Sequence, residues 1–246
     1  MKALILAAGH GTRLGPLTRE IPKCLLPIHG VPVLQIWLDL CAAHGITEVI
    51  VNAHAHVDAV RDFVRNYRGR VSVSLFEETE LLGSAGTLRE NRARFSKEPY
   101  FWICYGDVLT SMNLGKMLER HLQMGQDATI GLHRVPNPGA CGIVTLDSSG
   151  IVRDFTEKPA QPQSDLAFSG VMIGTPAILG DIPGSTPSDI GFHLLPRLLG
   201  RMAGYMVSDF LVDIGTIETY NRAQQHWPGI PLEQQGQRIG TVGAPC

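Results

Sequence analysis

The sequence of 246 residues predicts an α/β fold built on a doubly wound, mixed sheet. Three observations predict it. Short unbroken apolar runs suit strands buried on both faces of a parallel sheet. Through the first half these runs alternate with segments whose apolar residues recur at helical spacing. In the second half strand-like runs follow one another across short turns, so mixed strands are added to the main sheet, partly as a flap.

The elements read in order as follows. "KALILA" (Lys2 to Ala7) is an apolar run ended by glycine, the first strand. "VLQIWLDLCAAHG" has helical periodicity and stops at Gly45. "EVIVNAH" is a second strand, "VDAVRDFVRNY" an amphipathic helix, and "RVSVSLF" a third strand by its alternation. "SAGTLRENRARF" reads as helix, "YFWICYGD" as a fourth strand and "LGKMLERHLQMG" as helix. "ATIGLHRV", "GIVTLD", "GIVRDFTEK" and "AFSGVMIG" are strand-like, with a turn at Ser148-Ser149-Gly150. "DIGFHLLPRLLGRM" returns to helix, broken or kinked at Pro196. A short strand around "MVSDFLVD" and a helix from Ile217 to His226 follow. The tail from Pro228 to Cys246 is rich in Gly, Pro and Gln and reads as an irregular strap or frayed end. There is no internal repeat.

With 44% hydrophobic and 18% charged residues the composition is that of an ordinary globular protein. One compact domain is expected, with a small lobe grown from it. The net charge is −2. Arginines at 61, 65, 68 and 70, and at 89, 92 and 94, read as solvated helix faces; no basic stripe for nucleic acid is present. The cysteines, Cys24, Cys41, Cys104, Cys141 and Cys246, form no CxxC pair and fit free thiols in a reducing compartment. No stretch approaches the ~20 apolar residues of a membrane span, and the opening apolar run is too short for a signal peptide. A soluble cytoplasmic protein is expected.

The most informative stretch is "LILAAGHGTRLGPLTREIPKCLLPI", Leu4 to Ile28. It lacks the GxxxxGK[ST] of a P-loop, and Leu14 stands where a dinucleotide fingerprint needs its third glycine. What remains is a Gly-x-Gly-Thr-Arg loop after a buried strand. Its bare backbone can approach and cradle a polyphosphate. Arg13 adds a planar fork for phosphate oxygens, and Lys23 adds a more mobile charge in a segment stiffened by Pro22 and Pro27. Gly-x-Gly alone would be an ordinary strand-to-helix loop; the full run with Arg13 and Pro22-Lys23 is not easily reduced to one.

This run resembles the signature of the sugar-1-phosphate nucleotidyltransferases, the nucleoside-diphosphate-sugar pyrophosphorylases. So do "LLGSAGTLRENRARF", "YGDV", "CGIVTLDSSGIVRDFTEKP", "FSGVMIG" and "VDIGTIETY", which occur in the family's order over roughly Met1 to Gln225. The resemblance implies a Rossmann-like sheet of the nucleotidyltransferase (GT-A-like) type with a small β-rich sugar-binding lobe. It divides residues 1–227 into a nucleotide-binding half (about 1–112) and a sugar-phosphate half (about 113–227), with 228–246 as tail. It implies transfer of a nucleoside monophosphate from a nucleoside triphosphate to a sugar 1-phosphate, with Mg²⁺ as cofactor and no general base.

The same resemblance assigns roles. Leu6, Ala7, Ala8, Gly9, Gly11, Thr12, Arg13, Lys23, Leu82, Gly83 and Gly86 would bind the nucleotide, with Arg13 and the N–H groups around Gly11 and Thr12 on its β- and γ-phosphates and the backbone at Gly83 and Gly86 against its base. Arg13 would stabilise the leaving pyrophosphate, and Lys23 would lie near the attacked phosphorus. Asp107 and Asp213 would hold the metal; read alone, each aspartate could as well cap the next element. Lys158 would bind the sugar's phosphate and Glu157 its hydroxyls, while Gly142 and Gly170 would admit the sugar to the backbone. Length and motif detail are nearest the small mannose- and heptose-1-phosphate guanylyltransferases, which implies GTP. Small uridylyltransferases, including those acting on N-acetylmuramate phosphate, share the pattern.

Three other readings are less well supported. "HAHVD" (His54, His56, Asp58) invites a zinc site, but the other histidines lack ligand-like context. A glycosyltransferase would carry D-x-D, whereas Val108 and Leu109 follow Asp107. A silent regulatory relative would have lost one of Arg13, Lys23, Asp107 and Asp213, and all four are present. The tail could pack on a partner subunit in a homo-oligomer.

Overall fold

The computed structural model describes residues 1–231 and Gln234. Most of the expected tail lies outside the described residues. Along the chain the strands are β1 (Lys2–Leu6), β2 (Pro27–Ile28), β3 (Val31–Pro32), β4 (Glu48–Ala53), β5 (Ser72–Glu77), β6 (Phe101–Tyr105) and β7 (Val108–Thr110). They continue as β8 (Ala128–Arg134), β9 (Gly142–Leu146), β10 (Val152–Glu157), β11 (Leu166–Gly174), β12 (Met202–Met206) and β13 (Leu211–Asp213). The helices are α1 (Val33–Ala43), α2 (Val57–Asn66), α3 (Ser84–Glu90), α4 (Arg92–Phe95), α5 (Leu114–Met124) and α6 (Ile217–His226).

Strands β5, β4, β1 and β6 pair in parallel in that order, and β11 joins β6 antiparallel. The sheet then continues through β8, antiparallel to β11, to β12, parallel to β8. The β9–β10 hairpin is joined to β11 through the single pair Ala167 and Ile143. It is the flap the sequence anticipates. Side chains alternate along each strand, and the two faces carry separate apolar clusters. Ala3, Ile5, Trp102, Cys104, Val171 and Ile173 face α1, α5 and α6. Leu4, Phe101, Ile103 and Met172 face α3 and the turns at 190–198. Each cluster draws on both halves of the chain.

Helix ends follow the expected chemistry. Gly45 lies just beyond α1 at φ 70°. Gly125, at φ 59°, donates its N–H to the His121 carbonyl and ends α5. Asn113 caps α5 through Lys116 N–H, and Thr216 with Thr219 forms a reciprocal cap on α6. Cys24, Cys41 and Cys104 are buried free thiols. Burial pushes the Cys24 and Cys41 thiols up to about 12. Among the described residues no helix is long and apolar enough to cross a membrane.

The structure revises three expectations and adds one element. "SAGTLRENRARF" is two short helices divided at Asn91, whose side chain amide donates to the Thr87 carbonyl. "DIGFHLLPRLLGRM" is broken near Pro196 as expected, but into two short turns rather than α-helix. Ile190–Leu194 forms a single widened turn, closed by Leu195 N–H on the Ile190 carbonyl. A tight 3₁₀ turn, Leu195–Leu198, then begins around Pro196. The strand expected at "MVSDFLVD" is two separate strands, β12 and β13. The three-residue β7 directly after Asp107 was not anticipated. Trp37 and Trp102 are core residues, and Trp37 Nε1 donates to the Val108 carbonyl at 2.7 Å.

Candidate active site

The site lies where β1 and β6 end and the chain leaves the sheet. β1 delivers Leu6, Ala7 and Ala8. Ala7 N–H donates to Asn52 Oδ1 at 2.6 Å, which fixes the start of the loop. Gly9 is exposed with open space around it. Gly11 takes φ 64°, and Thr18 Oγ1 donates back to its carbonyl at 2.9 Å. A 3₁₀ segment, Thr12–Thr18, then carries the exposed Thr12 and Arg13 out over the cleft. Arg13 makes no ion pair among the described residues.

Asp107 sits between β6 and β7. Its distant partner arrives by strand pairing: β13 lies antiparallel to β7 with Asp213 opposite Val108, and Ile214 N–H donates to the Asp107 carbonyl at 3.0 Å. Lys23, nearly buried, joins them. Its Nζ is 2.6 Å from Asp107 Oδ2 and 3.5 Å from Asp213 Oδ1. A buried ammonium needs such partners. Lys23 thus touches the two acids directly. A Cβ placed on Gly215 would lie 2.7 Å from Asp213 Oδ1, 3.0 Å from Arg13 Nη2 and 3.1 Å from Lys23 Nζ. Arg13, Lys23 and Asp213 therefore converge over one bare backbone position.

Two cavities open on either side of this cluster. The first, about 230 Å³, is walled by Leu6, Ala8, Gly9, Gly83, Thr87 and Asp107. The second, about 570 Å³, is walled by Arg13, Gly142, Glu157, Lys158, Gly170 and Asp213, again with Asp107. Tyr105 and Asp107 belong to both.

In the second cavity Lys158, just past the end of β10, takes φ 50°, an uncommon backbone for a side chain of its size. Its N–H donates to the Cys141 carbonyl at 2.9 Å, and its Nζ lies 5.9 Å from the centre of the Phe192 ring. The Glu157 carboxylate rests against Gly142 and Gly191, where any Cβ would collide with it. Burial raises the Glu157 carboxyl above its ordinary value, Lys158 pulls it down and Asp189 adds to the rise. Gly170 sits in the β11 bulge at φ 79°, and a Cβ there would meet Val108 and Tyr105 at 3.0 and 3.1 Å. Gly142 and Gly170 are thus bare chiefly because protein groups occupy that space.

In the first cavity a buried network lies behind the wall. Asn52 Nδ2 donates to Glu78 Oε1 at 2.7 Å, Thr87 Oγ1 donates to the same oxygen, and Leu82 N–H donates to Glu78 Oε2 at 3.2 Å. Gly83 takes φ 75° against the Ser188 carbonyl, and the N–H groups of Ala85 and Gly86 both donate to that carbonyl. The Gly86 N–H is therefore spent on Ser188 rather than facing the cavity, and Leu82 is among the network's donors. Burial drives the Tyr105 phenol far above its ordinary value, helped by the Asp189 carboxylate, so it remains a hydroxyl.

Sequence reasoning missed Asn52, Glu78, Tyr105, Asp189, Gly191 and Gly215. Tyr105 and Gly215 stand beside recognised motif residues and could have been found that way. Asn52 and Glu78, at the ends of β4 and β5, carry no local signal. His54 and His56 do not share a ligand: His54 Nδ1 meets the Glu78 carbonyl, and His56 Nε2 meets the Thr18 carbonyl.

Among the described residues no three His, Cys, Asp or Glu side chains gather as metal ligands. The pair Asp107 and Asp213 does fit a hard divalent cation. Mg²⁺ takes one or two carboxylates and completes its octahedron with substrate phosphates and water, and the two acids already share one positive group, Lys23 Nζ.

A mixed sheet with a parallel centre, a glycine loop after β1, two neighbouring acids and two cavities meeting at a strand end define an α/β protein with its cleft at the strand ends, where such sheets bind ligands. The chain belongs to the nucleotidyl transferase family, whose model matches residues 2–228. It is 33% identical over 242 residues to a UTP–glucose-1-phosphate uridylyltransferase of Synechocystis sp., an alignment covering 91% of this chain and 62% of that protein. It is 31% identical over 228 residues to mannose-1-phosphate guanylyltransferase 1 of Arabidopsis thaliana, covering 89% of this chain and 63% of the relative. The chain thus spans less than two thirds of either relative. In fold it is similar to HddC from Yersinia pseudotuberculosis, with a TM-score of 0.77 at 24% identity over 91% of this chain and 98% of the other.

Proposed function

We propose that this chain transfers a nucleoside monophosphate from a nucleoside triphosphate to a sugar 1-phosphate and releases pyrophosphate. The observation that carries this reading is the sharing of Tyr105 and Asp107 by both cavities, with Arg13, Lys23 and Asp213 gathered at the same place. One cavity takes the nucleotide and the other the sugar, and their phosphates meet at Asp107.

The nucleophile is already a phosphate anion, so no side chain need remove a proton. The chain's task is to neutralise two polyanions and hold the line of attack. Lys158 anchors the sugar's phosphate, and Glu157 accepts from sugar hydroxyls. Arg13 and the loop around Gly11 and Thr12 hold the phosphates that leave. Asp107 and Asp213 would hold Mg²⁺, which supplies charge neutralisation between the two phosphates when bound. Lys23 keeps the acids in register and offers positive charge to the phosphates. Tyr105, held as a hydroxyl, donates at the junction of the cavities.

The nucleotide we favour is GTP. The preference rests on the likeness to mannose-1-phosphate guanylyltransferase 1 of Arabidopsis thaliana, which aligns over 89% of the chain. A uridylyltransferase is the alternative, since relatives of both kinds align over nine tenths or nearly so of the chain. We place the activity in the cytoplasm, in keeping with three buried free thiols.

Purified protein with Mg²⁺ and each nucleoside triphosphate against a panel of sugar 1-phosphates tests the reading. Pyrophosphate release is expected with GTP and a hexose or heptose 1-phosphate. Release with UTP alone replaces the guanylyl assignment with the uridylyl one. Release from no pair would leave the silent-relative reading standing.

A further inference from the structure

We propose that Lys23 is a resident counter-ion of the Asp107–Asp213 pair that competes with the divalent cation, so that the cation gains the pair only as the nucleotide's phosphates take over the ammonium. This rests on the reading of the two aspartates as the cation pair.

The argument starts from the contacts. Lys23 Nζ is within 2.6 Å of Asp107 Oδ2 and 3.5 Å of Asp213 Oδ1, so it occupies the space between the oxygens a divalent cation would use. The Lys23 side chain is only 10% exposed, so the ammonium depends on these acids in place of water. A divalent cation at the same oxygens would set like charges within a few ångströms of each other, and one of them must leave. Lys23 has somewhere to go. Its stem is flexible, and a Cβ on Gly215 would crowd both Nζ, at 3.1 Å, and Arg13 Nη2, at 3.0 Å, so the bare backbone is what lets the ammonium stand beside Arg13. Among the described residues Arg13 has no anionic partner, and a triphosphate seated on Arg13 would bring the anion that Lys23 needs on leaving the acids. Cation and nucleotide then bind with positive coupling, because each relieves the other of Lys23. Without nucleotide the ammonium keeps the two carboxylates from repelling each other and keeps stray cations out.

The test measures Mn²⁺ binding, by the electron spin resonance signal of free Mn²⁺, to the whole protein without nucleotide. Lys23→Met removes the ammonium and keeps most of the stem; Lys23→Gln is the second variant, with donors that can still brace the acids. Circular dichroism verifies folding of each. Wild type is expected to bind Mn²⁺ weakly, and either folded variant about tenfold or more tighter, in the range of ordinary coupling between sites. Adding Asp107→Asn to Lys23→Met is expected to abolish that gain. Addition of a GTP analogue with a methylene bridge between the α- and β-phosphates is expected to tighten Mn²⁺ binding more in wild type than in the Lys23 variants. Equal or weaker Mn²⁺ binding by both variants overturns the proposal, as does a gain that survives Asp107→Asn. Pyrophosphate release by the wild type is measured alongside. Tighter binding without any release would sink the proposed activity and leave the role of Lys23 intact, while release without the gain would do the reverse.

Discussion

At the scale of single residues, charge and burial decide what each group does. Among the described residues Asp107 is the one acid common to both cavities. Asp107→Asn keeps the shape and removes the charge. Pyrophosphate release is expected to fall by about a thousandfold, within the range seen when a principal electrostatic group is lost, with the circular dichroism spectrum unchanged. Near-normal turnover would remove Asp107 from the reaction. Glu157 gives a pH prediction. Its carboxyl is raised in the folded chain, chiefly by burial. Between the ordinary carboxylate range and that raised value, the folded state holds a proton that the unfolded state has released. Stability therefore falls as pH climbs through the window and stays lower above it. Glu157→Gln cannot titrate, so its melting temperature is expected to match wild type at about pH 3 and exceed it at about pH 7, on either side of the ordinary value near 4.3. Melts across that range check the sign. The same variant should lose about tenfold or more in kcat/KM for the sugar phosphate, as expected for a lost hydrogen bond to a charged group.

At the scale of elements, two glycines carry different kinds of constraint. Gly83 has φ 75°, and a Cβ there would be driven into the backbone carbonyl of Ser188, which cannot swing aside. Gly83→Ala is expected to cost about 3 kcal/mol or more, by strain and collision together, read as a lower urea midpoint. Gly215 is the opposite case, because the atoms nearest its missing Cβ are the ends of Asp213, Arg13 and Lys23. Those ends can shift, so Gly215→Ala should keep the melting temperature within a few degrees. Displacing them by about an ångström should lower turnover by up to about a hundredfold. A large loss of stability with normal turnover would reverse that assignment. Most elements were legible because their apolar periods were clean and their ends carried Gly45, Gly125 or Thr216. The stretch after Asp189 was not. Ile190, Leu194, Leu195 and Leu198 are all buried as a helix would require, but Pro196 allows only two short turns. β7 was invisible too, since three residues carry no period, and β13 was read only as part of a longer strand; only the folded chain shows that their pairing sets Asp213 beside Asp107.

At the scale of the molecule, the proposed nucleotide and sugar halves share one sheet. β11, from the second half, pairs directly with β6 from the first, and both apolar clusters take residues from each side of 112–113. Unfolding in urea is therefore expected as a single transition, coincident by far-ultraviolet circular dichroism and tryptophan fluorescence; two separated transitions would show the halves to be independent. The charged cluster was legible because motif residues announced it. The buried support behind it was not, since Asn52 and Glu78 act only through partners brought close by folding. The β9–β10 hairpin has a consequence for anyone wishing to redesign this scaffold. It hangs from β11 by one paired position, Ala167 with Ile143, while supplying Gly142, Glu157 and, just past its end, Lys158 to the larger cavity alone. Its inward residues Val144, Val152 and Phe155 are anchored in the core and must stay, but substitutions at its cavity-facing positions can reshape the larger cavity while the smaller one keeps its walls, whereas any change at Tyr105 would alter both cavities together.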